Sequence, residues 1–366
     1  MDRKTIRPIA MYLPQFHPIP ENDTWWGKGF TEWTNVTKAK PLYSWHYQPH
    51  LPADLGYYDL RLPETREAQS EMAREHGIYG FCYYHYWFNG KRLLNRPIDD
   101  VIKLKKPDFP FMLCWANENW TRSWDGENSN ILMSQEYSFE DDLIHINVLR
   151  KYLEDYRYIT VEGKPVFVFY RAYLFPDLKK TISIWQNEVQ KWGFKGLYTI
   201  TINNFIGDKT IEDLGLDSSF FFHPDFRLFR KPNILKKIQI HLNRKGIIDC
   251  PKISHRVINY NSYINLALNH FIKTTNKIFP GVNPNWDNSA RRKYEALILR
   301  GSTPELYGKW LKNTIDFYNP FSEEENFIFI NAWNEWAEGN HLEPDHKWGR
   351  KYLEETKKAL SGNQLI

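Results

Sequence analysis

The chain has 366 residues, 42% hydrophobic, 25% charged and 16% aromatic, which is enough apolar material for a large core and excludes a disordered chain. Its 48 basic and 44 acidic residues leave a net charge of +4, near balance for this length, which argues against a dedicated nucleic-acid surface. The aromatic count is the unusual quantity, with 15 Trp, 22 Tyr and 23 Phe. The charged start Met1-Asp2-Arg3-Lys4 is followed by no apolar signal segment, and no apolar run approaches the roughly 20 residues of a membrane helix. A cytoplasmic protein is therefore expected. Cys82, Cys114 and Cys250 are odd in number and lack metal-like spacing, so they read as buried free thiols.

Apolar, β-favouring runs alternate with helical segments. The first run covers residues 9–12 and opens a long loop rich in Pro, Trp and His. A helix over 64–76 closes at Gly77, the position where a C-terminal glycine is expected. Runs at 80–84, 111–115 and 166–170 follow, separated by helices near 98–104 and over 141–153. The helix over 178–192 carries Ile182, Trp185, Val189 and Trp192 on one face and stops at Gly193. Runs five and six lie at 197–202 and 219–222. After an interruption at 225–259, a helix covers 260–271. Run seven, at 278–281, is weakened by Pro280, which suits a strand end or bulge. Thr303-Pro304-Glu305 has the composition of a helix start, with a hydroxyl cap, proline and an acid in the first turn. Run eight starts at Phe327, and a helix over 347–360 closes the series.

Eight runs buried on both faces and alternating with helices predict a parallel (β/α)8 TIM barrel with loop insertions. One domain over residues 1–366 is expected, with a basic insertion around 225–259 after strand six. A dinucleotide-binding sheet would need a Gly-rich turn after strand one, where Leu13-Pro14-Gln15-Phe16-His17 offers none.

Active sites of such barrels lie at the C-terminal strand ends. There the sequence places Gln15 and His17, then His85, then Asn117, Glu118 and Trp120, followed by Arg171, Asn203, Trp286 and Arg291, and finally Asn334, Glu335 and Glu338. Aromatic faces beside amides and acids suit a sugar, covering its C–H patches and binding its hydroxyls, although strand ends are polar in many barrels. Glycosidic-bond chemistry needs one protonated and one ionised carboxyl. Glu335 and Glu338 are three apart, a spacing that in a turn brings Cβ atoms to roughly 5–6 Å. A surface ion pair is the alternative use for Glu338. Glu118 is an alternative catalytic residue, because Asn117-Glu118 ends strand three as Asn334-Glu335 ends strand eight.

Trp333-Asn334-Glu335-Trp336-Ala337-Glu338-Gly339, with Glu343-Pro344 after it, resembles the Glu-Trp-x-Glu signature of glycoside hydrolase family 99, the endo-acting α-mannosidases and α-mannanases. The wider pattern is similar to the WbsX group, a family 99-like set labelled as glycosyltransferases of bacterial polysaccharide loci. It rests on Tyr12-Leu13-Pro14-Gln15-Phe16-His17, Trp26-Gly27-Lys28-Gly29-Phe30-Thr31-Glu32-Trp33, Trp115-Ala116-Asn117-Glu118-Asn119-Trp120 and Trp286-Asp287-Asn288. The resemblance implies a (β/α)8 barrel in which Glu335 is a base on the sugar 2-hydroxyl, forming a 1,2-anhydro intermediate, and Glu338 is the general acid. The expected substrate-binding set is Tyr12, Gln15, His17, Trp26, Glu32, Trp33, Tyr84, His85, Trp115, Asn117, Trp120, Tyr170, Asn203, Trp286, Arg291, Trp333 and Asn334.

The leading expectation is a glycosidase-type enzyme acting on a bacterial oligosaccharide or polysaccharide, with no cofactor and no metal. His46 and His50 flank Pro49, which argues against a helical metal motif and for loop packing. The alternatives are a glycosyltransferase of O-antigen or capsule (lipopolysaccharide) assembly and a non-catalytic carbohydrate-binding barrel. The absence of an Asp-x-Asp motif weakens a metal-dependent nucleotide-sugar transferase. Residues 226–256 carry nine basic side chains against Asp249 alone, with apolar residues interleaved. This segment reads as a solvated insertion or as a peripheral contact with an anionic membrane. No oligomeric state follows from the sequence.

Overall fold

The computed structural model describes residues 5–122, 127–229, 234–245, 247, 255–274 and 276–361. Its central strands are β1 (Arg7–Tyr12), β2 (Gly80–Phe88), β3 (Phe111–Trp115), β4 (Lys164–Phe169), β5 (Tyr198–Ile202), β6 (Ser218–Phe220), β7 and β8 (Phe327–Ile330). Strand β7 is split into Ile278–Phe279 and Gly281–Val282. Each strand pairs in parallel with the next. Strand β8 pairs on one side with the second half of β7 and on the other with β1, which closes the (β/α)8 barrel the sequence predicts.

Closure at β7 depends on Pro280 and Gly281. Pro280 has no N–H to donate, but its carbonyl accepts from Phe329 N at 3.0 Å, so the ladder passes through the break. A Cβ on Gly281 would lie 1.8 Å from the Phe221 carbonyl oxygen. Only glycine permits the chain after β6 to run this close. Next to this gap Phe220 of β6 stacks on Phe329 of β8 at 3.9 Å between ring centroids.

The barrel helices are α1 (Pro63–Glu75), α2 (Arg96–Leu104), α3 (Phe139–Leu153), α4 (Leu178–Lys191), α5 (Ile211–Leu214), α6 (Tyr260–Ile272), α7 (Pro304–Phe317) and α8 (Lys351–Leu360). On α4 the expected stripe is buried at Ile182, Trp185 and Val189, while Trp192, the residue that caps the helix, is half-buried. On α7 Thr303 Oγ1 accepts from Leu306 N at 3.3 Å, the predicted cap. Cys82 and Cys114 are buried free thiols as expected, and Cys250 lies outside the described residues.

The long loops hold more structure than expected. Two short helices, Pro20–Trp26 and Glu32–Lys38, sit between β1 and α1, and the second begins with a reciprocal Thr31–Thr34 capping box. The interruption after β6 contains a helix, Ile234–Arg244, and a strand, Arg256–Asn259. That strand pairs in parallel with Leu297–Arg300 from the loop after β7, outside the barrel. Both strands are four residues long, and neither was expected from the sequence although Leu297-Ile298-Leu299 is an apolar run. Ile234, Leu235 and Ile238 are exposed on the helix. Much of the basic segment, including Arg230, Lys231 and Lys252, lies outside the described residues. No described helix is long and apolar enough to cross a membrane.

Candidate active site

Beyond β8 the chain forms a tight hairpin. Trp333 N donates to Met11 O at 2.8 Å, so the ladder with β1 extends past the strand end. The Asn334 side chain then acts as a backbone partner for Leu13, accepting from its N–H at 2.7 Å and donating to its C=O at 3.0 Å. Asn334–Glu335 pairs antiparallel with Asn340–His341. The tip, Trp336–Glu338, is a single 3₁₀ turn closed by Gly339 at φ +56°. Side chains three apart eclipse in 3₁₀ geometry, which brings Glu335 and Glu338 to one side.

Trp336 fixes this tip from below. Its ring stacks on His341 at 3.8 Å, and its Nε1 donates to Glu343 Oε2 at 2.6 Å. Glu343 also accepts from Tyr58 OH at 2.7 Å and from Gln69 Nε2 at 2.6 Å. Burial pushes this carboxyl up to about 7, opposed by those donors. From the β7 side, Asp287 N donates to the Glu338 carbonyl at 2.6 Å. The Asp287 carboxylate is held in turn by His46 Nε2 at 2.6 Å and Gln48 Nε2 at 2.9 Å.

The Arg291 guanidinium joins three acids. Its Nη2 lies 2.6 Å from Glu32 Oε1 and 3.2 Å from Glu335 Oε2, while Nη1 lies 2.8 Å from Glu338 Oε1. Glu32 Oε1 also accepts from Ala337 N at 3.0 Å, tying the short helix after β1 to the tip. Glu32 is fully buried, whereas 19% of the Glu338 side chain stays exposed. Both members of the pair hold their protons above the usual glutamate range, first because they are buried and then because three carboxyls share one cation. Burial and then the Glu338 charge raise Glu335, and burial raises Glu338; Arg291 opposes both shifts.

These groups open into a cleft of about 590 Å³ at the C-terminal end of the barrel, lined by Glu335, Glu338, Glu118, Arg171, Arg291 and a ring of aromatic side chains. Glu118 is ion-paired with Arg171 and 39% of its side chain is exposed. The Asn117 amide directs this pair: its Oδ1 accepts from Arg171 N at 2.8 Å and its Nδ2 donates to Arg171 O at 3.0 Å.

Residues 8–356 match the family described as Glycosyltransferase WbsX. The chain belongs to the WbsX family. It is 38% identical over 354 residues to uncharacterized WxcX proteins of two Xanthomonas campestris pv. campestris strains, covering 96% of this chain and 49% of each relative. The chain thus spans about half the length of the curated relatives it matches. Among solved structures, a glycoside hydrolase-like protein aligns with TM-score 0.60 and 12% identity, covering 98% of this chain and 94% of that one. A family 99 endo-α-mannosidase from Bacteroides thetaiotaomicron aligns with TM-score 0.55 and 15% identity, covering 97% and 96%. Both share the barrel fold.

Of the binding residues expected from the sequence, this WbsX barrel brings Gln15, Trp26, Tyr84, Trp120, Tyr170, Trp286 and Arg291 to the cleft. The others lie beneath or beside it. Tyr12 is buried in the barrel and donates to Gln69 Oε1 at 2.6 Å. Trp33 packs on Trp336, and its Nε1 donates to Tyr58 O at 2.8 Å. Trp333 and Asn334 are buried at the hairpin base, and Glu32 and Asn117 act through Arg291 and Arg171. His85 points outward, 2.8 Å from His145 of α3, and Trp115 packs on Trp185 of α4. His17 bonds to Pro14 O and Asn203 accepts from Ser219 Oγ, neither lining the cleft.

Tyr86, Asn22, Phe222, Phe226 and Arg292 line the cleft without having been expected there. Tyr86 could have been found, since it is two residues beyond Tyr84 on the same strand face. Asn22 lies on the short helix Pro20–Trp26, Phe222 just beyond β6 and Phe226 in a single 3₁₀ turn, segments that follow strand ends without a site motif of their own.

Proposed function

We propose that the chain acts on a glycosidic bond of a bacterial oligosaccharide or polysaccharide through Glu335 and Glu338. The observation that carries this reading is the Arg291 cluster, where two cleft-facing carboxyls share one cation with Glu32 and have raised pKa values. A raised carboxyl can supply a proton near neutral pH, and its conjugate base is a better proton acceptor than an ordinary carboxylate. In the first step Glu335 takes the proton of the sugar 2-hydroxyl while O2 attacks the anomeric carbon. The bond to the leaving oxygen breaks, and Glu338 protonates that oxygen. In the second step Glu338 takes a proton from water, which opens the 1,2-anhydro ring at the anomeric carbon as Glu335 returns its proton to O2. The exposed edge of Glu338 fits the role that must meet both leaving group and water.

Glu118 is better suited to binding hydroxyls. Its ion pair with Arg171 fixes a carboxylate at the cleft mouth, and the aromatic rings around it offer flat faces to sugar C–H groups. The family description favours a second reading, transfer to a hydroxyl acceptor in place of water on the same barrel. Screening oligosaccharides with product analysis, with and without activated sugar donors, separates the two. Cleavage without a donor supports the first reading, and product formed only with a donor supports transfer. Binding without either would leave a carbohydrate-binding barrel.

We also propose a peripheral contact with anionic membranes through the basic segment 226–256, supported by exposed Ile234, Leu235 and Ile238 on its helix. Liposome flotation should show binding that depends on anionic lipid; equal flotation with neutral lipid, or none with either, rejects the contact.

A further inference from the structure

A second cavity, of about 250 Å³, lies on the other side of the catalytic hairpin, between the loop after β1 and the chain that follows the hairpin. His50, His341 and Asp345 are buried there, and one ligand atom from each lies within 4.8 Å of the other two. His50 Nδ1 and His341 Nε2 are 2.9 Å apart. The tautomer of His341 follows from its other nitrogen, since Nδ1 lies 2.8 Å from the Glu343 carbonyl and must donate to it. His341 Nε2 therefore presents a lone pair towards His50. Such a backbone acceptor behind an imidazole is the usual outer support of a metal-binding histidine.

The third group is oriented as firmly. Asp345 Oδ1 accepts from Trp348 N at 2.6 Å, and Oδ2 accepts from Tyr47 OH at 3.1 Å. The Lys347 ammonium lies over the Tyr47 and Trp348 rings, 4.4 and 4.9 Å from their centroids.

We propose that His50, His341 and Asp345 bind a divalent transition-metal ion of the zinc class, with a remaining position open to the cavity. Two imidazoles and a carboxylate match zinc's preference for nitrogen and oxygen ligands, whereas calcium and magnesium demand more oxygens. His341 belongs to the hairpin that carries Glu335, and its ring supports Trp336. The ion would therefore fasten the loop after β1 to the floor of the catalytic tip. This inference does not depend on which bond the cleft breaks.

The test uses the full chain purified without a metal-chelating tag, and reads metal per chain by mass spectrometry and Tm by calorimetry. The expected result is one bound ion per chain as isolated or after zinc titration, with zinc raising Tm by at least about 3 °C and a chelator reversing the rise. Asp345→Asn and His50→Gln, each keeping side-chain size, should bind zinc more than about 100-fold more weakly and lose the chelator response. A wild-type chain that neither carries metal nor changes Tm with zinc overturns the proposal and leaves a hydrogen-bonded histidine pair. Equal zinc binding by wild type and either folded variant also overturns it, as an adventitious ion only.

Discussion

Arg291 Nη1 lies 2.8 Å from Glu338 Oε1, so the segment after β7 holds the proposed acid of the segment after β8. The same guanidinium reaches Glu32 and Glu335. Arg291→Met keeps most of the side-chain volume but leaves three acids without this cation. Removing one partner of a buried ion pair costs roughly 3–5 kcal/mol. Urea unfolding of the variant should show a loss of that order, together with a large drop in turnover.

The raised carboxyls fix the sign of a pH effect. Glu335 and Glu338 have folded-state values above the ordinary 4.5, so above that pH the folded chain holds more protons than the unfolded one. Their contribution is most favourable below pH 4.5 and is lost as pH rises through the raised folded values. Glu338→Gln removes the charge that pushes Glu335 up, so the Glu335 titration should move to lower pH. Arg291→Met removes the opposing cation, and the same titration should move higher. Carbon-13 NMR of labelled glutamate carboxyls follows both directions.

Glu343 is buried beneath the tip and accepts from Tyr58, Gln69 and Trp336. Glu343→Gln places an amide N–H group against one of these donors. An unsatisfied buried polar group costs about 1–3 kcal/mol. A fall in Tm, with lower kcat than wild type on the same substrate, is expected because Trp336 sits between the two carboxyls proposed to be catalytic.

Gly281→Ala tests barrel closure. Its Cβ would fall 1.8 Å from a backbone oxygen, a clash that no side-chain rotation relieves. Overpacking of this kind costs about 1–3 kcal/mol or more. Chemical denaturation should show a loss at least that large, whereas a neutral substitution would mean that β6 and β7 can part without harm.

The barrel was legible because its strands are nearly continuous apolar runs, and even the split strand β7 was marked by Ile278, Phe279 and Pro280. The site was legible in part, for a reason of geometry. Neighbouring residues on a strand point to opposite faces, so a motif read as a block mixes cleft and core. Tyr84 and Tyr86 face the cleft, while His85 between them pairs with His145 outside the barrel. The same alternation sends Trp115 against Trp185 rather than towards substrate. Glu32 was named from a motif, but its bond to Arg291, 259 positions away in sequence, has no local signature.

The central claim is that Glu335 and Glu338, rather than Glu118, carry the chemistry. The most direct measurement is kcat for Glu335→Gln, Glu338→Gln and Glu118→Gln on one substrate of the wild-type chain. The first two should each fall by roughly 10²-fold or more, as expected of acid–base groups, and Glu118→Gln should mainly raise KM. If Glu118→Gln abolishes turnover while either of the other two keeps wild-type kcat, the assignment is wrong.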